Sequence, residues 1–252
     1  MGHIMAINPS YLQLFCPMIW KNMKTIVIAN RKGGVGKTTV AFNLGAAYAL
    51  AGRRVCFLDI DSQANLSTLC RVAPSSLESF KAAEIVNLSE RLAIVPASKA
   101  FTLLENEVNQ LIDRNGYIKA KILPHLSAFD YCIIDTAPGL SILNINALCA
   151  ADMVHIIVNA DSFSLAGLVE MREILDQVKT INPGLDYRII LNAAMKGRRL
   201  TDAALSALRS EPGYSGIEIP NRQHFADSNA LRKPAIDVPD ILEPFQKIAE
   251  EI

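Results

Sequence analysis

Arg31-Lys32-Gly33-Gly34-Val35-Gly36-Lys37-Thr38-Thr39 decides how the rest of this chain is read, because it is a phosphate-binding loop with a second lysine built into it. It follows an apolar, strand-like run, Thr25–Ala29, and opens a helical run from about Thr38 to Ala51. In that context the backbone N–H groups of Gly33, Gly34, Val35 and Gly36 can curl around a polyphosphate. Lys37 reaches the outer phosphates, and the Thr38 hydroxyl, followed by Thr39, ligates Mg²⁺ at a helix N-terminus. The expected ligand is a nucleoside triphosphate with Mg²⁺.

Outward from the loop, strand and helix signals alternate. A second buried strand, Val55–Asp59, continues into Asp61 and puts two carboxylates at its C-terminal end, the edge of an open parallel sheet where ligands bind. Further strands are expected at Leu92–Pro96, at Tyr131–Asp135, and at 153–158, 187–191 and 216–219, with helices near 165–180, 201–210 and 240–252. The alternation predicts an α/β protein, a single P-loop NTPase domain whose mostly parallel twisted sheet carries helices on both faces. Residues 72–91 read as a surface helix and loop, and no internal repeat or low-complexity tract interrupts the pattern.

Half of the 252 residues are hydrophobic, enough for one large core. Lys+Arg and Asp+Glu are both 25, so any attraction to nucleic acid or anionic lipid must be local. The five cysteines are scattered without metal-like spacing, and Cys56 and Cys132 fall inside apolar strands, as buried free thiols of a cytoplasmic protein would. Residues 1–22 read as a leader or an appended extension without stable structure. Their apolar stretch, Tyr11–Trp20, is interrupted by Pro17, is too short to span a bilayer, and lacks the basic start of a secretory signal. An anchor to a membrane or partner is the alternative reading of that stretch.

Arg31 stands where the usual Walker A loop has its first glycine, and Lys32 follows it. With the carboxylates at 59–67 and a Walker B strand ending at Asp135, this resembles the deviant Walker A motif of the ParA/MinD family, closest to its short, Soj-like ParA members. The resemblance runs from residue 23 to 252 as one domain. It implies that Lys37 and Thr38 bind phosphate and Mg²⁺ and that Lys32 reaches the nucleotide of a second subunit. Asp61 would orient the attacking water beside the metal, and Asp135 would hold Mg²⁺ through water. Asn192 and Pro220 lie where the family closes around adenine. Asp59 is open between a catalytic role and a structural one, tying the strand end to the phosphate loop. Ser62, Ala64 and Ala137 depart from the usual proline, glycine and proline without removing a ligand.

The resemblance further implies an ATP-dependent homodimer that binds double-stranded DNA non-specifically and is switched by a ParB-like activator, cytoplasmic and nucleoid-associated, with no membrane attachment. Residues 188–233 carry eight basic side chains against four acidic ones, and Arg198, Arg199, Arg222 and His224 are the candidate DNA contacts. His224 replaces an arginine common in the family. The same cations would also suit a solvated face. A membrane-bound MinD-like regulator, or another relative positioning a non-DNA cargo, is the rival, but the segment Glu243–Ile252 is acidic. A tyrosine kinase of the same fold would want a tyrosine-rich tail, and no tyrosine lies beyond Tyr214. An iron–sulfur reductase would want cysteines in glycine-flanked loops, which Cys70 and Cys149 are not.

Overall fold

The central β-branched and aliphatic runs become strands because they are buried on both faces, whereas the edge strand Val86–Asn87 is exposed. The computed structural model describes residues 23–160, 165–195 and 197–250. Its strands are β1 (Lys24–Ala29), β2 (Val55–Asp59), β3 (Val86–Asn87), β4 (Leu92–Val95), β5 (Tyr131–Asp135), β6 (Met153–Asn159), β7 (Asp186–Ala194) and β8 (Tyr214–Pro220). They form one sheet in the order β3-β4-β2-β5-β1-β6-β7-β8. Every pairing is parallel except β3 with β4. A parallel sheet needs crossover helices, and these cover both faces.

The helices are α1 (Lys37–Leu50), α2 (Asn65–Leu69), α3 (Leu77–Lys81), α4 (Phe101–Asn109), α5 (Ile142–Ala150), α6 (Leu165–Ile181), α7 (Arg199–Leu208), α8 (Gln223–Ala230) and α9 (Pro239–Glu250). Alternate strand residues divide the core between the two faces. Ile26, Ile28, Phe57, Ile133 and Ile190 pack under α1 and α9, whereas Val27, Leu58, Ile134, Val154 and Ile189 pack under α4, α5 and α6. Gly45 is required where α1 crosses β2, since a Cβ there would run into the Phe57 ring. Helix α9 buries Ile241, Phe245 and Ile248 in the same layer as α1, so its apolar stripe is committed to the core. No described helix is long and apolar enough to cross a membrane.

Each strand expected from the sequence is present, and β7 and β8 run longer than their apolar centres. The 72–91 segment differs from a plain surface helix and loop. Ser76 caps α3 by accepting from the Ser79 amide at 3.0 Å, Phe80 is fully buried, and Val86–Asn87 adds a two-residue antiparallel edge strand. A strand that short has no alternation to read. Between α4 and β5 a π-helical turn, Ile118–Ile122, runs into a 3₁₀ turn, Leu123–Leu126, burying Ile118, Ile122 and Leu126. Cys56 and Cys132 are buried and unbridged. Residues 1–22, with the leader reading and Cys16, lie outside the described residues, as do part of 161–168 and Lys196.

Candidate functional site

The phosphate loop joins β1, near the middle of the sheet, to α1. Gly36 takes φ 93° as the residue before α1, and a Cβ on it would collide with the Asn192 side-chain amide. Asn192, from β7, donates its Nδ2 to the Val35 carbonyl at 2.8 Å and so holds the loop against the sheet. No side chain caps α1, and its first turn has no acid. Its leading N–H groups are therefore available to an anion, at the positive end of the helix dipole.

Parallel register brings the acids to the same sheet edge. Asp59 and Asp135 are Cα partners across β2 and β5, and Asp135 also pairs with Ile28 of β1, just before the loop. Asp59 is fully buried; its Oδ2 accepts from the Ser67 amide at 2.8 Å and the Ser67 hydroxyl at 2.7 Å, and its Oδ1 from the Asp61 amide at 3.2 Å. It ties the strand end to α2, not to the phosphate loop. Burial raises its pKa to about 6 against the pull of those bonds.

Thr38 Oγ1 donates to Asp135 Oδ2 at 2.7 Å, and Asp135 Oδ1 is buried without a hydrogen-bond partner. Burial, and then the neighbouring Asp59, push the Asp135 carboxyl well above the usual carboxylate range. A hydroxyl and a buried carboxylate with a spare oxygen fit Mg²⁺, which keeps waters and takes few protein ligands besides phosphate oxygens. Among the described residues no cluster of three or more His, Cys, Asp or Glu could hold a metal on its own. Bound there, Mg²⁺ would neutralise charge on the outer phosphates.

Lys37 is only 6% exposed and donates to the Lys32 carbonyl at 3.3 Å. Burial lowers its pKa, while the charges of Asp135 and Asp61 oppose that shift. Asp61 is buried with its Oδ1 accepting from the Gln63 amide at 2.9 Å. A cleft of about 390 Å³ brings together Gly34, Gly36, Lys37, Thr38, Thr39 and Asp61 with Asn65, Thr68, Pro138 and Asn229. Lys32 is exposed on a second, adjoining cavity beside α6, where Arg31 pairs with Glu170. Neither Pro220 nor Asn192 lines the phosphate cleft. Pro220 lines another cavity with Ala194, Arg222 and Asp240, at the end of a β7–β8 pairing whose register is irregular up to Ala194–Pro220.

The structure adds residues that carry no sequence motif. Asn144 donates to the carbonyls of Ala137 and Gly139 at 2.9 and 3.1 Å and fixes the turn after β5. Asn43 bridges the Thr39 carbonyl and the Ala235 amide, and Asn229 of α8 donates to Thr39 Oγ1 at 3.0 Å.

Of the candidate DNA contacts, Arg198 and Arg199 are exposed at the start of α7. Arg222 and His224, at the start of α8, each face an acid: Arg222 lies 3.7 Å from Asp240 and His224 2.8 Å from Asp237. Both acids lie beyond the 188–233 segment whose charge surplus suggested a basic face.

The doubly wound sheet, the loop before α1 and the acids at the ends of β2 and β5 define a P-loop nucleotide-binding protein. A family model described as an AAA domain matches residues 23–187. The chromosome partitioning protein ParA of Myxococcus xanthus is 34% identical over 230 residues, covering 84% of this chain and 81% of that protein. The structure of apo McdA from Cyanothece superposes with a TM-score of 0.80 at 25% identity, covering 90% of this chain and 98% of that one. At the level of fold, so does cobyrinic acid a,c-diamide synthase of Mycobacterium smegmatis with bound ADP and magnesium, with a TM-score of 0.77 at 22% identity, covering 90% and 93%. The chain belongs to the ParA-type family of partitioning ATPases.

Proposed function

We propose that this protein is a Mg²⁺-dependent ATPase with weak intrinsic turnover that partitions DNA by switching between a nucleotide-driven dimer and a released form. The observation that carries the reading is the placement of two lysines from one loop. Lys37 is buried beside Asp61 and Asp135, whereas Lys32 is exposed and free to meet the phosphates of a second subunit. In that sandwich dimer Gly33 to Thr39 cradle the phosphates, Thr38 and Asp135 hold Mg²⁺, and Asp61 orients the attacking water. Asn192 acts by bracing the loop. Catalysis in such a site is positioning and charge stabilisation, so turnover stays slow until a ParB-like partner completes it.

The dimer would then bind duplex DNA without sequence preference through Arg198, Arg199, Arg222 and His224. With about three phosphates neutralised per subunit, log affinity should fall against log salt with a slope near −5, at roughly −0.9 per phosphate. A DNA titration at several salt concentrations, with and without ATP, tests this. Binding that ignores ATP, or that is absent, removes DNA from the account.

The pairing of Arg222 with Asp240 and of His224 with Asp237 supports a second reading, in which the same switch positions a cargo other than DNA. In that case Asp237→Asn and Asp240→Asn leave DNA binding undetectable. Under the first reading they strengthen it.

A further inference from the structure

Helix α8 spans two regions of the molecule: Arg222 and His224 at its start, and the phosphate cleft, through Asn229, at its end. We propose that Asn229 is a positioning residue that aims the Thr39 hydroxyl proton at a nucleotide phosphate and makes α8 sense the nucleotide, an inference that rests on the nucleotide site described above.

Asn229 Nδ2 donates to Thr39 Oγ1 at 3.0 Å, so the hydroxyl accepts on that side and keeps its own proton for another acceptor. Thr39 lies on the cleft beside Lys37 and Thr38, where a phosphate oxygen is that acceptor. A hydroxyl that already accepts is a stronger donor, and a bond to a charged oxygen is stronger again.

The second observation is Asn229 Oδ1, which is buried without a hydrogen-bond partner at the edge of the same cleft. A buried acceptor left open there is what a donor on the ligand would satisfy.

The connection to α8 is reinforced on either side. Asn43 joins the Thr39 carbonyl to the Ala235 amide, and Arg71, at the end of α2, donates to the Leu231 carbonyl at 2.9 Å. A phosphate that fixes Thr39 therefore steadies the end of α8 through side-chain bonds already in place.

The experiment is titration of the full chain with a fluorescent ATP analogue and Mg²⁺, together with backbone amide exchange over residues 223–232 with and without nucleotide. Asn229→Ala should weaken binding about fivefold, the loss of one neutral hydrogen bond. Asn229→Asp keeps the shape but can only accept, so it draws the Thr39 proton away from phosphate; it should weaken binding by more than about tenfold. Nucleotide should slow exchange in α8 of the wild type and leave it unchanged in both variants. In a Thr39→Val background, Asn229→Ala should add less than about twofold. Should Asn229→Ala lose its fold, Asn229→Asp decides. Variants that bind and protect α8 like the wild type, or losses that add in full with Thr39→Val, overturn the proposal and leave the nucleotide site standing. A wild type that binds no nucleotide overturns both.

Discussion

Gly36→Ala tests the architecture of the loop, and its cost follows from two separable effects. The first is conformational: an alanine held at φ 93° lies in the left-handed region, at about 1–2 kcal/mol. The second is steric, because the new Cβ meets the Asn192 amide and must displace it from the Val35 carbonyl. That loses one hydrogen bond, about 1 kcal/mol, and the total is about 2–3 kcal/mol. Asn192→Ala alone should cost about 1 kcal/mol for the same bond. The double variant loses that bond only once, so it should be about 1 kcal/mol more stable than the two single losses added together. Urea unfolding of the four proteins without nucleotide measures this cycle. Additivity within about 0.5 kcal/mol would mean that Asn192 does not hold the loop, and the reasoning would fail.

Asp135→Asn replaces a buried carboxyl group whose ionisation burial disfavours and whose second oxygen has no partner, so it should raise the melting temperature by about 2–4 °C, near 1 kcal/mol, while abolishing the effect of Mg²⁺ on nucleotide affinity. A lower melting temperature, or an intact Mg²⁺ effect, contradicts this. His155 in β6 is fully buried with neither ring nitrogen bonded, and burial with the adjacent Arg188 holds its pKa down to about 3. The unfolded chain takes up that proton near pH 6.5, so stability is complete above 6.5 and is lost as pH falls, by up to about 2 kcal/mol between 6.5 and 5. His155→Val should lose that acid sensitivity in denaturant titrations at the two pH values, and equal losses would remove His155 as the cause. Asp61→Ala should bind nucleotide normally and hydrolyse it at least about 100-fold more slowly in a phosphate-release assay; undiminished release takes Asp61 out of the chemistry.

The placement of the phosphate loop and of the strand-end acids was legible because these parts are local or tied to strand ends. A loop between an apolar run and a helix is a contiguous pattern, and Asp135 closes an apolar strand where a parallel sheet opens its ligand edge. The structural reading of Asp59 was half right. Its burial is evident in β2, but its partner, Ser67, lies eight residues on in a helix that no periodicity marked. Asn43 and Asn229 could not be read at all, since single polar residues in helices have no pattern and their bonds span 192 and 190 residues. A charge count over a sequence window stops at its boundary, so the acidic partners of Arg222 and His224 were not legible in it. Asp237 and Asp240 lie past that boundary in sequence but beside His224 and Arg222 in space. Pro220 was placed at the adenine by likeness alone; in the structure it lines a cavity with Ala194 and Arg222.

The central claim is that ATP assembles two copies through Lys32. The measurement is the solution mass of Asp61→Ala, which should bind ATP without consuming it, at saturating ATP and Mg²⁺, compared with the Lys32→Ala/Asp61→Ala double variant. Lys32 is exposed, so the fold of the double variant should be intact. The account predicts a dimer for the first and a monomer for the second. A monomer for the first, or a dimer for both, would contradict it.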